Sequence, residues 1–257
     1  MDVILDGYIY YAQKVGGISR IFNEVLPIMC ELDPVISFKV LMYGRKRDFN
    51  EQIEQIIIPN LEKHLRPQKL RRVFSPILNN LLINQTIKQT KNIIFHSTYY
   101  RSLGSWQGKQ ICSVYDLIYE KYPNMFFDSS EVIHRKSQTF KQVDHLICIS
   151  KTTKEDLIYY YNIPEEKISI NLLSCGKQFK PTESALINFR VPFPFILYVG
   201  GRSTYKGFTD LVNAYSQWGL RYDVNLVVVG SKWTKQEAEL LSSIGVEDHI
   251  LLFDKIN

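Results

Sequence analysis

The residues best suited to chemistry in this 257-residue sequence stand in the run FPFILYVGGRSTYKGF, from Phe193 to Phe208. An apolar stretch, Phe195 to Val199, stops at Gly200-Gly201, and Arg202 and Lys206 follow before a helical pattern begins. A buried parallel strand reads as such a continuous apolar run. Two glycines let the backbone turn sharply and approach a ligand closely. The start of the next helix then offers N–H groups and a partial positive charge that suit a phosphate. With two cations on the same side, the arrangement asks for a diphosphate. The same residues also suit an ordinary strand-to-helix turn carrying two solvated cations.

Three further places hold residues of useful type. Gly16-Gly17 separates a first strand from an amphipathic helix, which describes either an anion contact at a helix start or a plain turn. No GxGxxG is present there, so a dinucleotide fingerprint is not supported. His96 ends a strand in IFHSTYYR, and Asp116 ends the next one in SVYDLIYEKYP, followed by Glu120. Ligands of open parallel sheets collect beyond the carboxyl ends of the strands. His96 and Asp116 are therefore candidates for acid–base work, against a satisfied structural histidine and solvated carboxylates. Glu120 is expected to stay solvated.

Elements that would position these residues alternate along the chain. Strand-like runs are 2–5, 38–43, 92–96, 110–115, 145–149 and 167–173. Between them Ile18, Ile21, Phe22, Val25, Leu26, Met29 and Leu32 recur at helical spacing. Ser75-Pro76 and Ser150 read as further helix starts. Strands alternating with helices imply a parallel sheet covered on both faces. Residues 176–194 hold three prolines and little periodicity, a linker, after which strand 195–199, helix 207–218, strand 224–229, helix 234–244 and strand 249–253 start a second unit. The expected division is 1–175, linker 176–194 and 195–257, the last an incomplete domain.

Composition narrows the class. No apolar segment approaches the ~18–20 residues of a spanning helix, and MDVILDGYIYY lacks the basic start of a secretory signal. The four cysteines are scattered without metal-ligand spacing and read as reduced thiols of a cytoplasmic protein. Of the net charge of +5, the stretch Lys39 to Lys109 carries an excess of nine, with 13 Lys and Arg against 4 Asp and Glu. Within it, 63–91 sets cations beside apolar residues, as an interfacial segment on anionic lipid does, or a helix with a solvated basic back.

FILYVGGRSTYKGF resembles the donor-phosphate loop of retaining nucleotide-sugar glycosyltransferases of the GT-B fold, glycosyltransferase family 4. GGISR, IFHSTYYR, VYDLIYEKYP, VDHLICISKTTKEDL and KISINLLSCG agree with that family in order and spacing, most with its mannosyltransferase-like branch of O-antigen and capsule synthesis. The resemblance implies an α/β GT-B fold, two Rossmann-like domains facing across a cleft, the second incomplete. It implies transfer of a hexose such as mannose, with retention, from a nucleotide diphosphate sugar to a lipid-linked glycan. Gly16, Gly17, Gly201, Arg202 and Lys206 would meet the donor diphosphate, and His96 and Asp116 would line the acceptor side. No metal, cofactor or nucleic acid is implied. The place would be the cytoplasm, peripheral on the inner face of the cytoplasmic membrane through 63–91. The chain departs from the pattern at Tyr115 and Thr98, where relatives carry histidine, and the family's E-x7-E segment would fall beyond Asn257. The alternatives are a catalytically inactive remnant or binding module of the same fold, and a GT-B-type sugar-nucleotide epimerase.

Overall fold

The computed structural model describes residues 1–13, 16–47, 49, 51, 53–59, 80–87, 92–176, 179–180 and 194–254. The helix start at Ser75-Pro76 and most of the basic stretch 63–91 lie outside the described residues. The chain divides into two compact units, Met1–Gln178 and Phe179–Asn257.

In the first unit seven strands form one parallel sheet: β1 Asp2–Asp6, β2 Ser37–Tyr43, β3 Glu54–Ile58, β4 Ile93–Ser97, β5 Lys109–Val114, β6 His145–Cys148 and β7 Ile168–Ile170. Their order is β3-β2-β1-β4-β5-β6-β7. Alternate side chains of a strand point to opposite faces, and the two cores follow that rule. Val3 and Leu5 join Phe38, Val40 and Met42 in one layer, with Phe22 and Leu26 of helix Gly17–Leu32. Ile4 and Leu41 join Ile58, Ile93 and Phe95 in the other. Ile94 packs against the first layer, so His96, two residues on, faces helix Gly17–Leu32.

Helix Lys151–Tyr161 begins where the sequence places it, with Ser150 Oγ accepting the Thr153 N–H at 3.0 Å. Removing that cap with Ser150→Ala is expected to cost about 1 kcal/mol in a urea denaturation. Some elements escape sequence reading, the short helices Tyr8–Ala12 and Ile118–Lys121, strand β3 and one longer helix among them. Strand β3 shows only three isoleucines after a glutamate and a glutamine. Helix Ser129–Gln142 buries Val132, Lys136, Thr139 and Phe140, so half of its inward stripe is polar.

The second unit carries a three-stranded parallel sheet, β8 Phe195–Val199, β9 Asn225–Val229 and β10 Ile250–Phe253, in the order β10-β9-β8. Phe208, Val212 and Tyr215 of helix Phe208–Gln217 pack with Leu226, Val228 and Ile250, and Leu241 comes from helix Lys235–Ser243. That helix starts with a capping box, Thr234 and Glu237 each bonding the other's backbone. Leu197 and Val199 of β8 are exposed among the described residues.

Candidate functional site

At the carboxyl end of β8 the chain turns through Gly200, whose φ of +126° only glycine adopts without strain. Its N–H donates to Val229 O at 3.0 Å, tying the turn to β9. Gly230 is held small on the other side, because a Cβ there would lie 2.8 Å from Gly200 O. Gly201 is exposed with open space where a side chain would stand, and Tyr198 OH donates to its carbonyl at 2.7 Å. After the short turn Thr204–Lys206, Gly207 takes the left-handed conformation and starts helix Phe208–Gln217 without a side-chain cap.

The two cations of this loop have different situations. The Arg202 side chain is 3% exposed and forms a two-pronged pair with Glu237, Nε to Oε1 at 2.7 Å and Nη2 to Oε2 at 3.0 Å. Its Nη1 donates to Ser231 O and its Nη2 to Lys232 O, both at 2.9 Å, and the guanidinium lies 4.5 Å over the Trp233 ring. The hydrogen bonds from Arg202 hold the Glu237 carboxyl down at about 2. Most of the guanidinium is committed to fastening the loop to helix Lys235–Ser243. Lys206 is exposed, its ammonium 4.9 Å over the Tyr205 ring, and meets no carboxylate among the described residues.

In the first unit Gly16 precedes helix Gly17–Leu32 in extended conformation, with no side-chain cap. Ser19 OH donates to Gly16 O at 3.0 Å, and the space beside Gly17 is open. The helix start is thus open at Gly17, whereas the Gln13 side chain fills the space beside Gly16.

His96 Nε2 lies 2.9 Å from Ser113 Oγ, and its ring meets Phe22 edge-on at 5.6 Å. Burial pushes its pKa from 6.5 down to about 4, so the ring is neutral at pH 7. The folded chain then resists a proton that the unfolded chain accepts. Stability is expected to fall as pH drops from 6.5 toward 4, by about 3 kcal/mol at most, and to be untouched by His96 above that window. Denaturation midpoints of wild type and His96→Gln should therefore diverge below pH 6.5; parallel curves would contradict it.

Asp116 follows β5 with its carboxylate 58% exposed, one oxygen accepting the Ile118 N–H at 3.3 Å. No hydrogen bond among the described residues joins it to His96. Glu120 corrects the sequence reading, for its side chain is 3% exposed. It accepts from Lys136 Nζ at 3.0 Å and from the Tyr161 hydroxyl. Burial, then that hydrogen bond to Glu120, push the Tyr161 phenol up. Lys136, 1% exposed, also donates to Asp116 O at 3.0 Å and faces the Tyr100 and Tyr119 rings. This cluster fixes the backbone from which Asp116 projects.

Sequence reading missed a second cluster, at the carboxyl ends of β1, β2 and β4. Asp6, fully buried, accepts from Tyr43 OH at 2.9 Å and from the Tyr8 N–H at 3.2 Å. Arg101 Nη1 stands 3.6 Å from the same Oδ1, with its guanidinium over the Tyr8 and Tyr43 rings. The available signal was an aspartate at the end of the first strand of a parallel sheet.

Among the described residues no group of histidine, cysteine or acidic side chains could hold a metal, and no helix is long and apolar enough to cross a membrane. No family model and no curated protein matches the chain. Solved structures do. The chain is similar over its full length to 70% of WaaG, a glycosyltransferase involved in lipopolysaccharide biosynthesis, with a TM-score of 0.67 and 15% identity. A glycosyltransferase from Rickettsia africae ESF-5 is matched over 68% of its length, with a TM-score of 0.54 and 17% identity. LpCGTa, solved in complex with UDP, is matched over 71%, with a TM-score of 0.51 and 8% identity. What these likenesses share with the chain is architecture, and the chain has the α/β fold of the GT-B glycosyltransferases.

Proposed function

We propose that the chain binds a nucleotide diphosphate sugar through its second unit and serves transfer of the hexose, with retention, to a lipid-linked glycan. The observation that carries this reading is the Gly200-Gly201 turn beyond β8, with the exposed Lys206 before an uncapped helix start. Such a place offers N–H groups and a cation to an anion. Stabilising the charge that builds on a departing diphosphate lowers the barrier to sugar transfer without a metal. The UDP bound by LpCGTa and the lipopolysaccharide role of WaaG favour the donor class and a bacterial surface glycan, O-antigen or capsule. Mannose and the inner face of the cytoplasmic membrane complete the reading, on the sequence resemblance alone.

In this reading Lys206 and Gly201 meet the diphosphate, and Arg202 holds the loop in place while turning little of its charge outward; Gly16 and Gly17, in the first unit, are proposed as a further contact for an anion. Asp116 is the exposed carboxylate on the acceptor side, and the neutral His96 lines the same strand ends. A protein from Listeria monocytogenes provisionally assigned as a UDP-N-acetylglucosamine 2-epimerase is also similar, with a TM-score of 0.54 and 12% identity. The deciding experiment incubates the chain with UDP- and GDP-hexoses, with and without a lipid-linked acceptor. Sugar appearing on the acceptor supports transfer. An epimerised nucleotide sugar supports the other reading.

A further inference from the structure

We propose that the carboxyl end of β1 is a subsite for a hydroxyl-rich ring, a neutral pyranose, read by Asp6. Strand β1 lies between β2 and β4, where the order β3-β2-β1-β4 reverses direction. Open parallel sheets take ligands beyond the strand ends at such a reversal. Asp6, paired in register with Leu41 and Ser97, occupies that place.

Its carboxylate is unevenly served. Oδ1 receives Tyr43 OH, the Tyr8 N–H and the nearby Arg101, whereas Oδ2 is buried with no hydrogen-bond partner among the described residues. A buried charged oxygen without a donor is costly, and native structures rarely tolerate one without a bound water, ion or ligand. The deficit is not confined to Asp6. Of the five such side-chain atoms among the described residues, three are Asp6 Oδ2, Tyr10 OH and Gln13 Oε1, all on the connection from β1 to the glycine turn. Two of the three can only accept, so what each of those two lacks is a hydrogen donor. A sugar supplies several, each a hydroxyl that donates and accepts.

The surroundings suit the rest of a pyranose. Tyr8 and Tyr11, both half-buried, stand with ring centroids 5.9 Å apart and planes tilted at 52°, a pair of aromatic rings for the C–H groups of a sugar. Arg101 stands 3.6 Å from Asp6, donates to Tyr43 OH and lies over the Tyr8 ring, so it must turn aside for a ligand hydroxyl to reach the carboxylate. In the transferase reading, on which only its name depends, this is an acceptor-sugar subsite.

The test uses the full chain and methyl α-mannoside as probe, followed by amide shifts in NMR. Shifts clustered at Gly7, Tyr8 and Arg101 are expected. Asp6→Asn should weaken the binding by about ten- to a hundred-fold, the loss of hydrogen bonds to a charged acceptor. Tyr8→Ala, which keeps the Asp6–Tyr43 bond, should weaken it as well and serves if Asp6→Asn does not fold. No shifts at these residues, or unchanged binding in both variants, would mean that Asp6 Oδ2 holds a water only and overturn the proposal. UDP binding, measured in parallel, tests the donor reading separately and should not depend on Asp6.

Discussion

Lys136→Met is expected to destabilise the first unit by about 3–5 kcal/mol, the range for breaking a buried pair and stranding its partner. The ammonium is almost wholly enclosed and serves Glu120, the Asp116 carbonyl and two aromatic rings at once. Methionine has a similar length and fills the space, so the loss reports the stranded Glu120 carboxylate and the carbonyl more than a cavity. Adding Glu120→Gln should therefore restore part of the stability, since the orphaned charge goes with it. Denaturant unfolding followed by tryptophan fluorescence and by circular dichroism would read both variants. A loss of less than about 1 kcal/mol for Lys136→Met would place the ammonium in water.

The second large effect separates the two cations of the glycine turn. Arg202→Ala strands Glu237 and frees the loop from helix Lys235–Ser243, at an expected cost of about 3 kcal/mol to the second unit. The pair also has an acid signature. Glu237 is held at about 2 against 4.5 in its ordinary state, so its contribution is complete above pH 4.5 and is lost as pH falls toward 2. Arg202→Ala should remove that acid limb. Lys206→Ala, at an exposed position, should change stability by no more than about 0.5 kcal/mol. Its cost appears in ligand binding. If Arg202→Ala leaves unfolding unchanged, the loop does not depend on the Glu237 pair.

Much of this architecture was legible because backbone chemistry announced it. Gly200 needs a positive φ, Ser150 caps a helix, and the Phe195–Val199 run forms a strand, although at the edge of its sheet with Leu197 and Val199 exposed and not buried as its apolar run suggests. Those signals are local. Helix Ser129–Gln142 was hidden because a lysine takes a core position that periodicity reserves for an apolar residue, its burial made tolerable by Glu120 from a distant segment. The same distant partner turned Glu120 from an expected solvated acid into a buried one. Arg202 illustrates the reverse: sequence spacing set it beside Lys206, and only the fold brought Glu237 within 2.7 Å of it. Asp6 went unread because its partners, Tyr43 at the end of β2 and Arg101 in the loop after β4, come from far along the chain.

The central claim is that a nucleotide diphosphate seats at the turn beyond β8 through Lys206, and calorimetric titration tests it most directly. UDP and GDP are titrated against uridine and guanosine, into wild type and Lys206→Ala. A diphosphate should bind wild type more tightly than its nucleoside, and Lys206→Ala should lose about ten- to a hundred-fold of the diphosphate affinity while leaving the nucleoside alone. Equal affinity for nucleoside and diphosphate in wild type, or a Lys206→Ala variant that binds both as wild type does, would contradict the account.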